Sequence, residues 1–139
     1  MKLKSIRVKN FRCVEDSTEC EIGPVTCLVG KNEAGKTSLL EALYKLNPDV
    51  EGLGEFNVLL EYPRRRRKEY ERRADTQADD ALITQWELED EDVKRLTALH
   101  GPNAVKSSTV TITKGYYKNR KCDIDLGDLL PKFVYFSKF

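Results

Sequence analysis

The chain has 139 residues, enough for one domain with a respectable core. Charged residues make up 34% of it, but 24 Lys and Arg stand against 23 Asp and Glu. The resulting net charge of +1 excludes the global basic field of a general nucleic-acid binder.

No stretch approaches the apolar length of a membrane span, and Met1-Lys2-Leu3-Lys4 lacks the apolar region of a signal peptide. Both absences point to a cytoplasmic protein with no membrane partner. Cys13, Cys20, Cys27 and Cys122 include no C-x-x-C pair and have only His100 to help them, so neither a zinc site nor a disulfide framework is expected.

Residues 2–8 alternate, with Lys4, Ile6 and Val8 on one side and Leu3, Ser5 and Arg7 on the other, which predicts a strand ending at Phe11-Arg12. Residues 17–22 read as a second strand, turned by Gly23-Pro24 into a third. That third run, Val25-Thr26-Cys27-Leu28-Val29, is β-branched and apolar and predicts a buried strand with Cys27 as a small core hydrophobe.

Next comes Gly30-Lys31-Asn32-Glu33-Ala34-Gly35-Lys36-Thr37, which fits the phosphate-binding pattern G-x-x-x-x-G-K-[ST]. Each fixed position answers a need of a triphosphate. Gly30 and Gly35 open backbone angles closed to other residues, so that successive N–H groups can face an anion. Lys36 brings a point charge toward the β- and γ-phosphates. Thr37 offers a hydroxyl to Mg²⁺. From Ser38 onward, Leu39, Leu43 and Leu46 fall on one helical stripe, and Asn47-Pro48 stops the helix. Its positive dipole end would complete the cradle. Strand, glycine loop, helix is the context this motif requires.

Residues 51–80 change character. Gly52 and Gly54 break regular structure, and Arg64-Arg65-Arg66-Arg67-Lys68 forms a dense basic block with Tyr70 as the one apolar anchor behind it. Residues 69–73 are compatible with a helix, but with Tyr70 as their one apolar anchor the segment reads as an exposed loop excursion. Order returns at Ala81. Leu82, Thr84, Trp86 and Leu88 alternate as in a half-buried strand. Asp90 reads as a helix cap before Val93, Leu96 and Leu99, and Gly101-Pro102 ends that helix. Residues 109–113 predict a strand, with Tyr116-Tyr117 and Cys122-Asp123-Ile124 as its hairpin partner and the turn near Lys118-Asn119. Leu130-Pro131 and Phe133-Val134-Tyr135-Phe136 read as a last buried strand.

With these residues in view, the chain resembles the N-terminal part of RecF/SMC/Rad50-like ATPases of the ABC class, and most of all the overcoming-lysogenization-defect (OLD) type of anti-phage defence ATPase. Ile6-Arg7-Val8-Lys9-Asn10-Phe11-Arg12 is similar to the family's first strand and its Asn-Phe-Arg turn. The loop resembles the Gly-x-Asn-Glu-Ala-Gly-Lys form of that subgroup. Tyr62-Pro63-Arg64 and the following strands resemble an inserted β-subdomain.

The resemblance implies an α/β fold of the P-loop NTPase type. It would be the N-terminal lobe of an ABC-type head with an inserted antiparallel β-subdomain. Residues 1–50 would hold the strands, loop and first helix, 51–80 the basic excursion, 81–127 the β-subdomain with one helix, and 128–139 a return strand. The family's ligand is ATP with Mg²⁺, bound between two heads that close face to face and act on DNA or on a nuclease or effector subunit. By resemblance the nucleotide contacts are Gly30, Lys31, Asn32, Glu33, Ala34, Gly35, Lys36, Thr37 and Ser38, with Arg12 nearby. Lys36 is the catalytic lysine and Thr37 the magnesium ligand.

The family's Asp-Glu strand, Ser-Gly-Gly signature and toprim-like carboxylates are not found, so this lobe alone is expected to bind ATP better than it hydrolyses it. Trp86-Glu87-Leu88-Glu89-Asp90 comes nearest to the Asp-Glu strand, but its alternation suits a hairpin strand. Asp49-Val50-Glu51-Gly52 matches a GTPase D-x-x-G without the apolar strand before it, and no base-reading Asn-Lys-x-Asp exists. A small kinase would need a lid and a base. A non-catalytic, nucleotide-gated scaffold stays open as an alternative. The basic block contacts DNA phosphates or an acidic partner, or is a solvated surface beside Glu69 and Glu71.

Overall fold

In the computed structural model of the chain, residues 1–31 and 35–125 are described. Asn32, Glu33 and Ala34 of the glycine loop, the last residues of the expected β-subdomain and the expected return strand at 128–139 lie outside them.

The N-terminal alternation forms β1 (Lys2–Phe11), the strand on which the sheet is built. Ile6 and Val8 point into the core at 0% exposure. Ser5, on the opposite face, is also buried and donates to Glu19 at 2.6 Å. One edge of β1 is shared by two short antiparallel strands. β2 (Val14–Asp16) covers its C-terminal half and β3 (Cys20–Glu21) its N-terminal half. The break between them is a turn at Thr18, a non-glycine residue at φ 59°. One uninterrupted strand over 17–22 was expected, and this turn divides it.

The other edge of β1 pairs antiparallel with β4 (Asp80–Glu87), which pairs with β5 (Thr109–Gly115) and then β6 (Lys121–Ile124). Among the described residues this is one antiparallel sheet in the order β2-β1-β4-β5-β6, with β3 also on β1. The strands from residue 80 onward are therefore continuous with the N-terminal strand and do not form a sheet of their own. The alternation of Leu82, Thr84 and Trp86 is the cause: it gives β4 one face to bury and two free edges to pair. The hairpin of β5 and β6 lies where its sequence placed it, with Thr113 opposite Lys121.

Residues 25–28 form no strand. Val25 is 86% and Val29 92% exposed, and Cys27 is exposed as well. This corrects the expectation of a buried core strand. A run apolar throughout suits a strand covered on both faces, and no described strand pairs with this one. Leu28 alone packs partly against the core.

Helix α1 (Lys36–Tyr44) follows the loop and lays Leu39 and Ala42 on the sheet, with Leu46 just beyond it. The arginine block corrects a second expectation. It is not a loop but helix α3 (Arg64–Glu71), preceded by the one-turn helix α2 (Val58–Glu61). Arg, Lys and Glu are good helix formers. One aromatic side chain is enough to dock this helix. Tyr70 is 1% exposed and stacks on Tyr62 at 4.5 Å, and Tyr116, just after β5, closes on both rings at 5.1 and 5.8 Å. Phe56 continues this aromatic layer to Phe11. Helix α4 (Asp90–His100) begins one residue after Glu89, which takes the cap position expected for Asp90.

Candidate functional site

The first turn of a helix leaves backbone N–H groups without intrahelical partners, and something must satisfy them. In α2 the Asn57 side chain accepts from Leu59 and Leu60 at 2.9 and 3.2 Å. In α4 the first turn holds Asp90, Glu91 and Asp92, and Asp92 reaches back to the Glu89 N–H at 3.0 Å. Helix α1 has neither device. Its cap is Gly35, no side chain among the described residues accepts there, and its first turn holds no acid; α3 likewise starts without a side-chain cap or an acid. Donors and a positive dipole end of this kind can take an anion from outside a helix.

Gly35 is held in the left-handed region at φ 84°, and a Cβ there would stand 2.7 Å from Val14 Cγ2 and 3.5 Å from Cys13 Sγ. The turn after β1 therefore presses against the start of α1, where only a glycine fits. Ser38 is buried, with its hydroxyl 3.7 Å from Cys13 Sγ, whereas Thr37 is exposed. The Lys36 ammonium donates to the carbonyls of Gly30 and Lys31, the latter at 2.6 Å. It folds back over the glycine loop it belongs to. An open cleft of about 590 Å³ lies against these groups, lined by Gly35, Lys36, Leu39, Val14, Cys13 and Val29 among others.

Arg12 stands beside α1. It is left-handed at φ 54°, its guanidinium pairs with Glu41 of α1, and it lies 5.4 Å over the Phe11 ring. It lines a second open cleft of about 640 Å³ with Arg64 and Arg65, and Cys13 and Glu15 border both clefts.

The structure thus brings Gly30, Lys31, Gly35, Lys36, Thr37 and Ser38 together at one helix start, with Arg12 on its flank. The basic block is split between two roles. Arg66 donates to Asn10 Oδ1 at 3.1 Å, and Arg67 donates to the Leu59 carbonyl at 2.9 Å and pairs with Glu71 at 3.6 Å. Arg64, Arg65 and Lys68 are exposed.

Beneath these clefts lies a network that sequence reasoning missed. Asp79 accepts a two-pronged bond from Arg73 at 2.7 and 2.8 Å, the Tyr62 hydroxyl at 2.7 Å, and Asn10 at 3.3 Å. Burial alone would raise the Asp79 pKa, but Arg73 and Tyr62 outweigh it and hold the carboxyl below its ordinary value. Burial and Asp79 push the Tyr62 phenol far up, so it stays a donor. Lys45 and Glu61 pair at 2.9 Å with side chains only 13% and 12% exposed, tying α1 to α2. The one signal for this network in the sequence was the recurrence of Tyr at 62, 70 and 116.

Among the described residues, no group of three His, Cys, Asp or Glu side chains is gathered as a metal site. Mg²⁺ would meet Thr37 as a single protein hydroxyl, which suits a cation that takes most of its oxygens from phosphates and water. Nor is any helix of the described residues long and apolar enough to cross a membrane.

An α/β chain with a central sheet and a glycine-lysine helix start is consistent with the P-loop NTPase class, although the strand expected before the loop is not formed. Its family model matches residues 1–128, and the chain belongs to the AAA ATPase domain family. Over 48 residues it is 50% identical to OLD nuclease of Thermus scotoductus, covering 34% of this chain and 9% of that protein. Over 47 residues it is 47% identical to DNA replication and repair protein RecF of Staphylococcus haemolyticus, covering 33% of this chain and 12% of that protein. The matched segment spans about a tenth of each relative. No solved structure matches at a significant level.

Proposed function

We propose that the chain is the ATP-binding N-terminal lobe of an OLD/RecF/SMC-like ATPase. The observation that carries this is the start of α1: a helix with no cap and no acid, opening on Gly35 and Lys36 at the edge of a cleft. Backbone donors there would hold the β-phosphate, with Asn32, Glu33 and Ala34 completing the loop. Lys36 would leave its own loop carbonyls for the β- and γ-phosphates. Thr37 would hold Mg²⁺, which when bound supplies charge neutralisation at the phosphate oxygens. Ser38 is oriented by its packing on Cys13, and Arg12 holds the flank of α1 through Glu41.

In the full-length protein, ATP would close two such lobes face to face as a dimer or higher oligomer. The motion would serve DNA processing or anti-phage defence, directly or through a nuclease or effector subunit. The basic surface at Arg64 to Lys68 is the candidate contact for DNA or a partner.

A second reading is a nucleotide-gated scaffold without hydrolysis. It is supported by the acids on the loop cleft. Asp16 is tied to Arg7 by bonds of 2.5 and 2.9 Å, and Glu15 is open to solvent, so neither is set as a base for an attacking water.

Equilibrium binding of labelled ATP and GTP to the chain tests the proposal. Lys36→Ala is expected to abolish ATP binding with an unchanged circular dichroism spectrum. Micromolar ATP affinity retained in that variant, or tight GTP with weak ATP, would contradict the ATP assignment.

A further inference from the structure

The arginine block does two jobs in one helix, and the residues left over from the structural job sit beside exposed leucines. Arg66 and Arg67 are spent on Asn10, Leu59 and Glu71. Arg64 and Arg65 are exposed and have no hydrogen bond or ion pair within the described residues. They stand in the first turn of α3, where the helix dipole disfavours positive charge and no acid offsets it. Their charge, unlike their backbone propensity, does not favour the start of this helix.

One turn earlier, Leu59 is 67% and Leu60 80% exposed. Leu60, Pro63, Arg64, Arg65 and Arg12 line the cleft of about 640 Å³ between the α2–α3 corner and the turn after β1. Of the two acids on it, Glu61 is held by Lys45 at 2.9 Å and accepts from the Asn57 N–H at 2.8 Å. Arg12 is paired with Glu41 of α1, which leaves Arg64 and Arg65 on the cleft with Glu15 as the one acid not already held. The backbone beneath is fixed by the Asn57 cap, the Lys45–Glu61 pair and the Tyr62–Tyr70 stack. A surface held in place before binding loses less entropy when a partner docks.

We infer that Leu59, Leu60, Arg64 and Arg65 form a docking surface for an acidic, amphipathic segment of a partner protein. Charge complementarity selects an acidic occupant. The leucines select protein over nucleic acid, because a phosphate backbone offers arginine a partner but gives two exposed leucines nothing to bury against. Arginine is enriched at protein interfaces, and exposed leucines beside it offer apolar area to bury. The inference chooses between the two partners left open for the basic block. It does not depend on nucleotide binding at Lys36.

The test uses a synthetic helix of Leu and Glu with the leucines along one face, poly-glutamate of equal length, and a mixed-sequence DNA duplex as labelled probes. The amphipathic helix is expected to bind about tenfold tighter than poly-glutamate. Leu59→Ser with Leu60→Ser should remove that margin, and Arg64→Ser with Arg65→Ser should weaken both peptides by about tenfold or more. Lys94→Ser, on the exposed part of α4, should change nothing. Nucleotide affinity of the leucine and arginine variants should stay at the wild-type value, which separates this inference from the one about Lys36. Equal binding of the two peptides, indifference to the leucine changes, or DNA binding that is tighter than the helix and depends on Arg64 and Arg65 would overturn it.

Discussion

Gly35 meets two demands at once, one from its own backbone and one from a neighbour. Its φ of 84° lies in the left-handed region, and the space where a Cβ would go is held by Val14. An L-residue in that region costs about 1–2 kcal/mol before any contact is counted. Gly35→Ala is therefore expected to lower stability by about 2–3 kcal/mol in urea unfolding. Adding Val14→Ala should return the part due to crowding and leave the part due to φ. Stability equal to wild type in the single variant would mean that the turn is not left-handed. The glycine was legible in the sequence because the motif prescribes it. Val14, its close neighbour, was not, since nothing in residues 12–16 says which turn they will press against. Arg12 was legible only as part of an Asn-Phe-Arg turn, and its pairing with Glu41 needed the folded chain.

At the scale of elements, α3 and the run at 25–29 show opposite failures of local pattern. Helix α3 has one apolar residue in eight and offers no stripe to find, yet it docks because Tyr70 enters a pocket of aromatic rings. Tyr70→Ala should cost about 3 kcal/mol or more in thermal or urea unfolding, as large aromatic truncations in cores do. Arg64→Ser should cost no more than about 0.5 kcal/mol, because the side chain touches nothing it stabilises. Equal losses from the two changes would mean that the helix is held by its charges and not by its ring. The run at 25–29 has the opposite history. Its composition is that of a buried strand, yet it pairs with none of the described strands, and Val25 and Val29 stay exposed. Strand formation needs a pairing partner as well as a suitable composition.

At the scale of the whole molecule, Asp79 joins parts far apart in sequence: Asn10 at the end of β1, Tyr62 between the short helices, and Arg73 after α3. Its carboxyl and that of Asp16, held at about 2 by Arg7, both lie below the ordinary value of 3.8. The unfolded chain therefore takes up these protons more readily than the folded one. Their contribution to stability is full above the unfolded value and is lost as pH falls through it toward the folded values. Urea midpoints are expected to hold steady from about pH 7 to about pH 5 and to decline steeply toward about pH 3. In Asp79→Asn the protein should be less stable at neutral pH and the decline shallower. An unchanged slope in that variant would place the acid sensitivity elsewhere.

By itself the sequence determined the glycine-lysine loop and the helix after it, the first strand, and the strand and hairpin after residue 80. Those features rest on contacts between near neighbours, or on a period that one face of an element imposes. Only the tertiary structure decided that the strands form one sheet, that the arginines are a helix divided between packing and open surface, and that three tyrosines and an aspartate tie it to β1. Edge pairing, aromatic stacking and a buried carboxylate depend on residues brought together across the chain, and no local pattern records which partners will meet.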